Sequence, residues 1–340
     1  MMFVVLLLTI PVSAMDYTAP EAPEEAQQLM PREVTSFGQD LLTVISSAMS
    51  VVQPALFEAL SVCVGGFAAA MLVGMLKTMS GKAAQVSELA GVLAVVGLLL
   101  KQTGSMVTLA ADTVTELTQY SKLLLPVMAA ALASQGGVTS STALYTGTAF
   151  LNAILSSAIS KLLVPMIYVF LVLTAAAAAT EQTMVNKLGD FVKWLITWCL
   201  KTVLYIFTGY MGITGVISGT ADAATLKAAK LTMSGVVPVV GGILSDASEA
   251  VVISAGMMKN TVGIYGLLAL IAVWIAPFIR IGTQYLLLKL TAALCGIFDA
   301  KGVNTVIGSF ASAMGLLLAM TGTVCVLLLI SVVCFMKGVS

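Results

Sequence analysis

Few residues in this chain could do chemistry, and most of them gather around two proline-containing segments. Asp246 and Glu249 lie in Asp246-Ala247-Ser248-Glu249, between apolar runs. Acids embedded in a membrane segment can carry ions or protons. Their spacing is also that of a capping box at a helix start, which is the plainer reading. Lys122 and Lys230 open the two segments, while Lys259-Asn260, Arg280 and Lys289 interrupt later apolar sequence. Arg280 and Lys289 read first as side chains that reach along the helix to lipid headgroups.

No catalytic set converges elsewhere. The chain has no histidine, which excludes Ser-His-Asp and Cys-His nucleophiles and any His-ligated metal. Gly81-Lys82 is followed by Ala83 and lacks the upstream glycine of a phosphate loop, so any ATP use belongs to a partner. Cys63, Cys199, Cys295, Cys325 and Cys334 form no C-x-x-C pair and read as small buried hydrophobes. The charge balance, 16 basic against 16 acidic residues, argues against a nucleic-acid partner. The sequence therefore predicts neither an enzyme nor a cofactor or metal site.

The elements that must position these residues are membrane helices. Hydrophobic residues make up 59% and charged residues 9% of the 340, with mean hydropathy +1.05. Soluble domains run near 45–50% apolar and about 25% charged. The fold expected is all-α, a polytopic transmembrane bundle of about six to eight spans. Residues 1–14 read as a signal peptide without the usual positive start, a retained anchor being the alternative. Residues 15–53 form an acidic extracytoplasmic segment, flexible in its first part. Residues 54–111 carry the first membrane helices, and Lys77 and Lys82 mark a cytoplasmic end.

The remainder reads as two repeats, 112–220 and 221–337. Pro126 and Pro238 are 112 residues apart, as are Pro165 and Pro277, and Thr208-Gly209 and Thr321-Gly322 are 113 apart. The offset brings Lys122–Ser134, followed by Gly136-Gly137, into register with Lys230–Ser245, which contains Pro238 and Gly241-Gly242. Short Gly/Pro-interrupted segments in matching halves point to a transport path. The candidate path residues are Lys122, Pro126, Gly136, Gly137, Lys230, Pro238, Gly241, Gly242, Asp246 and Glu249. Two kinked helices packed in the bundle are the plainer alternative. A further stripe, Trp194, Trp198 and Tyr205 with Lys193 and Lys201, follows one helical face. It reads as an interfacial belt in its first turn or as a partner-facing surface.

Gly235-Val-Val-Pro238-Val-Val-Gly241-Gly242-Ile-Leu-Ser245-Asp246-Ala-Ser-Glu249-Ala resembles the most recognisable block of the stage III sporulation protein AE family. Ala133-Ser-Gln-Gly136-Gly137-Val-Thr139-Ser140 resembles that family's Gly-Gly-Val-Thr-Ser block. The resemblance covers roughly residues 54–337. It implies a multi-span component of a channel or secretion-type complex linking mother cell and forespore, in the mother-cell membrane around the forespore. The partners it implies are the other stage III A-operon sporulation proteins, including a separate ATPase, and the forespore protein stage II sporulation Q. Membrane lipid and further copies of the chain complete the expected partners. It supplies no catalytic residues. The alternatives are a self-sufficient secondary transporter built from two repeats, or a scaffold anchoring partner rings.

Overall fold

A computed structural model of the chain describes residues 19–31, 37–77, 82–134, 138–180, 183–213, 261–298 and 300–338. Among these there is no strand. A short helix, α1 (Glu24–Gln27), precedes two long helices, α2 (Phe37–Lys77) and α3 (Lys82–Ser134). Then come α4 (Val138–Ala158), a π-helical turn (Ile159–Leu163), α5 (Val164–Thr180) and α6 (Thr183–Ile213). Helix α7 (Thr261–Cys295), a 3-10 turn (Gly296–Phe298) and α8 (Lys301–Gly338) complete the described chain. Six of the helical stretches are long and apolar enough to cross a membrane.

Several helices are longer than a span needs. At 1.5 Å per residue, the 53 residues of α3 reach about 80 Å, against about 30 Å of hydrocarbon. The apolar stretches 142–160 and 162–180 of the sequence are one rod, joined through the π turn instead of a loop. Likewise Lys101-Gln102 interrupts the hydropathy of α3 but not the helix.

The arrangement follows from α8. Residues 313–329 are buried without a break, so over that stretch no face of the helix meets solvent. The most apolar 18-residue stretch of α8 is 94% buried, whereas no other span exceeds 56%. A helix hydrophobic all round belongs at a core, and α8 touches each of the other long helices. Cys325 and Cys334 lie in this core, Cys63 and Cys295 are buried elsewhere, and Cys199 is half-buried.

Close contacts fix the directions. Gly65 abuts Leu98 and Gly91 abuts Val73, so α2 and α3 are antiparallel. Gly74 abuts Phe298 and Gly66 abuts Thr291, so α7 runs parallel to α2. Gly302 lies against Val92 and the Ala178 carbonyl. Lys77, Lys82, Lys187 and Lys301 therefore all belong to one end of the bundle. At this end the Gly302 N–H, among the first amides of α8, donates to Glu88 Oε1 at 2.9 Å. The carboxylate satisfies an orphan donor and complements the helix dipole. A Cβ on Gly302 would lie 2.9 Å from Val92 Cγ2 and 3.3 Å from Glu88 Oε1, so the tight join needs glycine there.

The opposite end carries the acidic segment, and here the sequence expectation is corrected. Residues 19–31 are not a free tail. Ala22, Ala26 and Leu29 are buried while Glu21, Glu24 and Glu25 stay exposed. The Tyr120 hydroxyl donates to the Pro20 carbonyl at 3.4 Å, and Gln27 Nε2 donates to the Ala22 carbonyl at 2.7 Å. Three apolar side chains at helical spacing are enough to dock the segment near α7. Residues 37–53 are the first turns of α2.

The hairpin α4/α5–α6 and the hairpin α7–α8 run the same way through the bundle. Their surroundings differ, since α6 has an exposed face along its length and α8 is enclosed from residue 313 to residue 329. The signal-peptide segment 1–14 lies outside the described residues.

The sequence expectation that Lys77 and Lys82 mark a cytoplasmic end gives a test of orientation. A cysteine replacing exposed Thr115, on the acid-bearing side, is expected to react with a membrane-impermeant maleimide added outside expressing cells. One replacing Lys187 should react only after permeabilisation, and the reverse pattern would invert the topology. A second expectation concerns Gly74, where a Cβ would lie 2.7 Å from the Phe298 carbonyl oxygen. Backbone yields poorly, so Gly74→Ala should lower stability by about 1–3 kcal/mol, read as a lower unfolding temperature in detergent.

Candidate functional site: polar faces on a membrane bundle

Exposed faces change character partway along the helices. On α2, positions 57, 60, 64 and 71 carry Phe57, Leu60, Val64 and Met71, all exposed. The same 3-4 spacing carried toward the N-terminus gives Gln53, Ser50, Ser46, Thr43 and Gln39, also exposed. On α3 the exposed face begins with Val86, Leu89, Leu93 and Leu100. It continues as Lys101, Ser105, Thr108, Asp112, Thr115, Gln119 and Lys122, seven polar residues at strict 3-4 spacing. Apolar exposure suits lipid and polar exposure suits water.

The switches coincide in height. The α2–α3 contacts and the Asn152–Ser121 bond between α3 and α4 set the relative levels. So do the packing of Gly189 on Thr174 between α6 and α5, and the Gln102–Gln284 bond between α3 and α7. By these, Gln53, Asp112, Lys161 in the π turn, Lys201 and Arg280 lie within about two helical turns of one level. The wholly apolar outer faces of α2 and α3 thus lie in the lysine-end half of the bundle. The other half carries the polar stripes of α2 and α3 beside exposed Leu42, Met49, Val51, Leu123, Phe150 and Ile206, so its outer surface is mixed.

The hydroxyls of these stripes are turned inward. Thr43, Ser46, Ser50, Ser105, Thr108 and Thr115 each donate to a carbonyl three or four residues earlier. Their donor capacity is used within the helix, which leaves acceptor lone pairs facing out. Such a surface can contact water or a polar partner. It does not assemble a nucleophile, and the described residues hold no group of His, Cys, Asp and Glu that could bind a metal.

Two polar bridges tie the helices inside. Gln102 Nε2 donates to Gln284 Oε1 at 3.1 Å, with both side chains buried. Asn152 Nδ2 donates to Ser121 Oγ at 2.6 Å, and that hydroxyl donates to the Thr118 carbonyl at 2.8 Å.

Of the sequence candidates, the structure places two. Lys122 and Pro126 are one turn apart and exposed on α3, so both sit on the outside of the bundle. They lie in a helix that runs unbroken to Ser134, which corrects the expectation of a short separate segment there. Buried Leu124, Leu125 and Met128 hold the helix on both sides of the missing proline N–H. Gly136, Gly137, Lys230, Pro238, Gly241, Gly242, Asp246 and Glu249 lie outside the described residues. Sequence reasoning missed the stripes on α2 and α3, although their 3-4 spacing was legible. The aromatic stripe on α6 is exposed over its whole length. Phe191 stacks on Trp194 at 5.9 Å and Trp194 on Trp198 at 6.2 Å.

The amide bridge gives a prediction. Gln102→Leu leaves the Gln284 amide buried without its partner and should destabilise the bundle. A double-mutant cycle with Gln284→Leu, read by unfolding in detergent, is expected to return a coupling of about 0.6–2 kcal/mol. A coupling of zero would remove the bridge from the list of fold determinants.

Comparison with known proteins bears on what such a bundle is for. The family described as Stage III sporulation protein AE matches residues 32–338. A curated relative, Stage III sporulation protein AE of Bacillus subtilis (strain 168), is 29% identical over 185 residues. That alignment covers 54% of this chain and 46% of the relative, so the match spans about half of the relative's length. No solved structure matches. With nearly the whole described bundle inside the matched range, the chain belongs to the stage III sporulation protein AE family, a family of sporulation proteins.

Proposed function

We propose that this chain is a multi-span membrane component of the channel or secretion-type complex between mother cell and forespore, needed for endospore development. It would act from the mother-cell membrane around the forespore. The observation that carries the reading, beyond the family, is the division of the bundle. In this reading the half with wholly apolar outer faces sits in lipid, and the half with the polar stripes, about 20 residues of α3, extends past it. A projecting polar platform suits docking to other complex members, and the proposed partners are the other stage III A-operon proteins and stage II sporulation Q. A separate ATPase among these partners would supply energy, with which the lack of a phosphate loop in this sequence is compatible.

The packed centre favours a component over a self-sufficient transporter. Helix α8 fills the middle with apolar side chains, and the Lys122 and Pro126 candidates face outward. A conducting path would then run between this chain and its neighbours. The same packing also suits a scaffold that anchors partner rings, and one experiment separates the readings. In a spore former lacking its own copy, Lys122→Ala, Asp246→Asn and Glu249→Gln are introduced singly, with heat-resistant spores counted and complex assembly checked by co-purification. Loss of spores with assembly intact is the expected result. Loss of both favours the scaffold, and full sporulation in all three variants removes these residues from the path. Solute flux in liposomes holding the purified chain alone would instead support the transporter.

A further inference from the structure

Helix α8 is enclosed from residue 313 to residue 329, but its first turns are not. Lys301 and Thr305 are exposed there, and Gly308, Ser309 and Ser312 are half-buried. These five positions fall on one side of the helix at 3-4 spacing. A Cβ on Gly308 would meet nothing within 4 Å. The other sides are taken. Gly302 lies against Val92 of α3 and the Ala178 carbonyl of α5, Ile307 reaches Gly66 of α2, and Gly315 packs on Tyr285 of α7. At 3.6 residues per turn these contacts leave an arc of roughly 140° between α7 and α5, and the five residues lie within it.

Helix α6 covers that same side farther along. Leu204 packs with Val326 and Ile330, which stand about five turns beyond Gly308 and Ser312. Toward the lysine end α6 leans on α5 instead, with Gly189 against Thr174, and α6 and α7 are not a packed pair. The uncovered strip is therefore the floor of a crevice between α7 and the α5–α6 hairpin. It opens at the lysine end and closes beyond Ser312, where α8 becomes enclosed on all sides. From Lys301 to Ser312 it runs roughly 16 Å.

The floor has a definite chemistry. The hydroxyls of Thr305, Ser309 and Ser312 donate to the carbonyls of Lys301, Thr305 and Gly308 at 2.9, 2.8 and 2.9 Å. What they offer outward is acceptor lone pairs. Acyl chains have no donors for these, and a covering helix would use its backbone N–H groups within itself. Water donates to such lone pairs and hydrates the Lys301 ammonium. The outer surface at this level is otherwise apolar on α3 and α7, with Leu89, Leu93, Leu290 and Leu294 exposed. Polar side chains at membrane depth face the bundle interior or a water-filled cavity.

We propose that water entering at the lysine end fills this crevice down to Ser312, as a blind aqueous inlet along α8. Such an inlet does not conduct by itself, and its presence does not depend on the partners of the chain.

The test uses the full chain in open membrane fragments, with Thr305→Cys, Ser309→Cys, Ser312→Cys, Leu290→Cys, Leu93→Cys and Ala319→Cys made singly. A charged methanethiosulfonate is added, and the thiol left unreacted is measured after denaturation with a mass-tagged maleimide. The parent chain, with its own five cysteines, gives the background. The thiolate is the reacting species and an apolar setting keeps a thiol protonated, so positions 305, 309 and 312 should react at least about tenfold faster than 290 and 93. Ala319 is buried two turns beyond Ser312 on the same side, and Ala319→Cys should be as slow as Leu290→Cys. Three conservative variants at separate depths keep the test decisive if one fails to fold. The proposal is overturned if the strip positions are as slow as 290 and 93, which would put acyl chains or another helix in the crevice. Reaction at 305 alone also overturns it, since water then stops at the mouth. So does fast reaction of Ala319→Cys, since the inlet would not be blind.

Discussion

The length of α8 is the constraint on which the rest depends. Its apolar stretch Lys301–Met336 has 36 residues and so reaches about 54 Å, nearly twice the thickness of a hydrocarbon core. Lipid can shelter only part of it. The remainder, from about Thr321 to Met336, would meet water unless protein enclosed it. The upper turns of α3, α4 and α7 supply that enclosure, with Leu117, Leu124, Leu144 and Leu267 buried on their inner sides. These helices are long because the core they cover is long.

The same constraint explains why one helix can be apolar on both sides below the belt margin and amphipathic above it. Below the margin, lipid accepts Val86 and Leu93 of α3 on the outside. Above it, the outer face of α3 carries Asp112, Thr115 and Gln119, while Val114 and Leu117 stay buried. The charged residues Lys161, Lys201 and Arg280 fall near that margin, where their heads can reach headgroups or water. The π turn at Ile159–Leu163 lies at the same level, so the chain changes helical pitch where its surroundings change.

Close packing holds the lysine end together. Gly74 and Gly302 let α2, α3, α7 and α8 meet near their ends, in the manner of small-residue contacts between membrane helices. Glu88 then satisfies an amide of α8 that no intrahelical carbonyl could reach. Association of these helices rests on shape and hydrogen bonds, because hydrocarbon is no worse a solvent for leucine than the bundle interior.

Much of this was already determined by the sequence. Composition alone required a membrane bundle, and the glycine blocks around Gly136 and Pro238 carried the family. The 3-4 spacing of Lys101 through Lys122 also marked a polar helical face, although hydropathy alone read it as an interruption. The tertiary structure decided what no local pattern contains. Hydropathy cannot separate a lipid-facing leucine from an enclosed one, since both are apolar, so the central place of α8 and the peripheral place of α6 emerged only from packing. Nor could the acids of residues 19–31 reveal that Ala22, Ala26 and Leu29 dock on the bundle, because the partner surface lies about a hundred residues away at Tyr120.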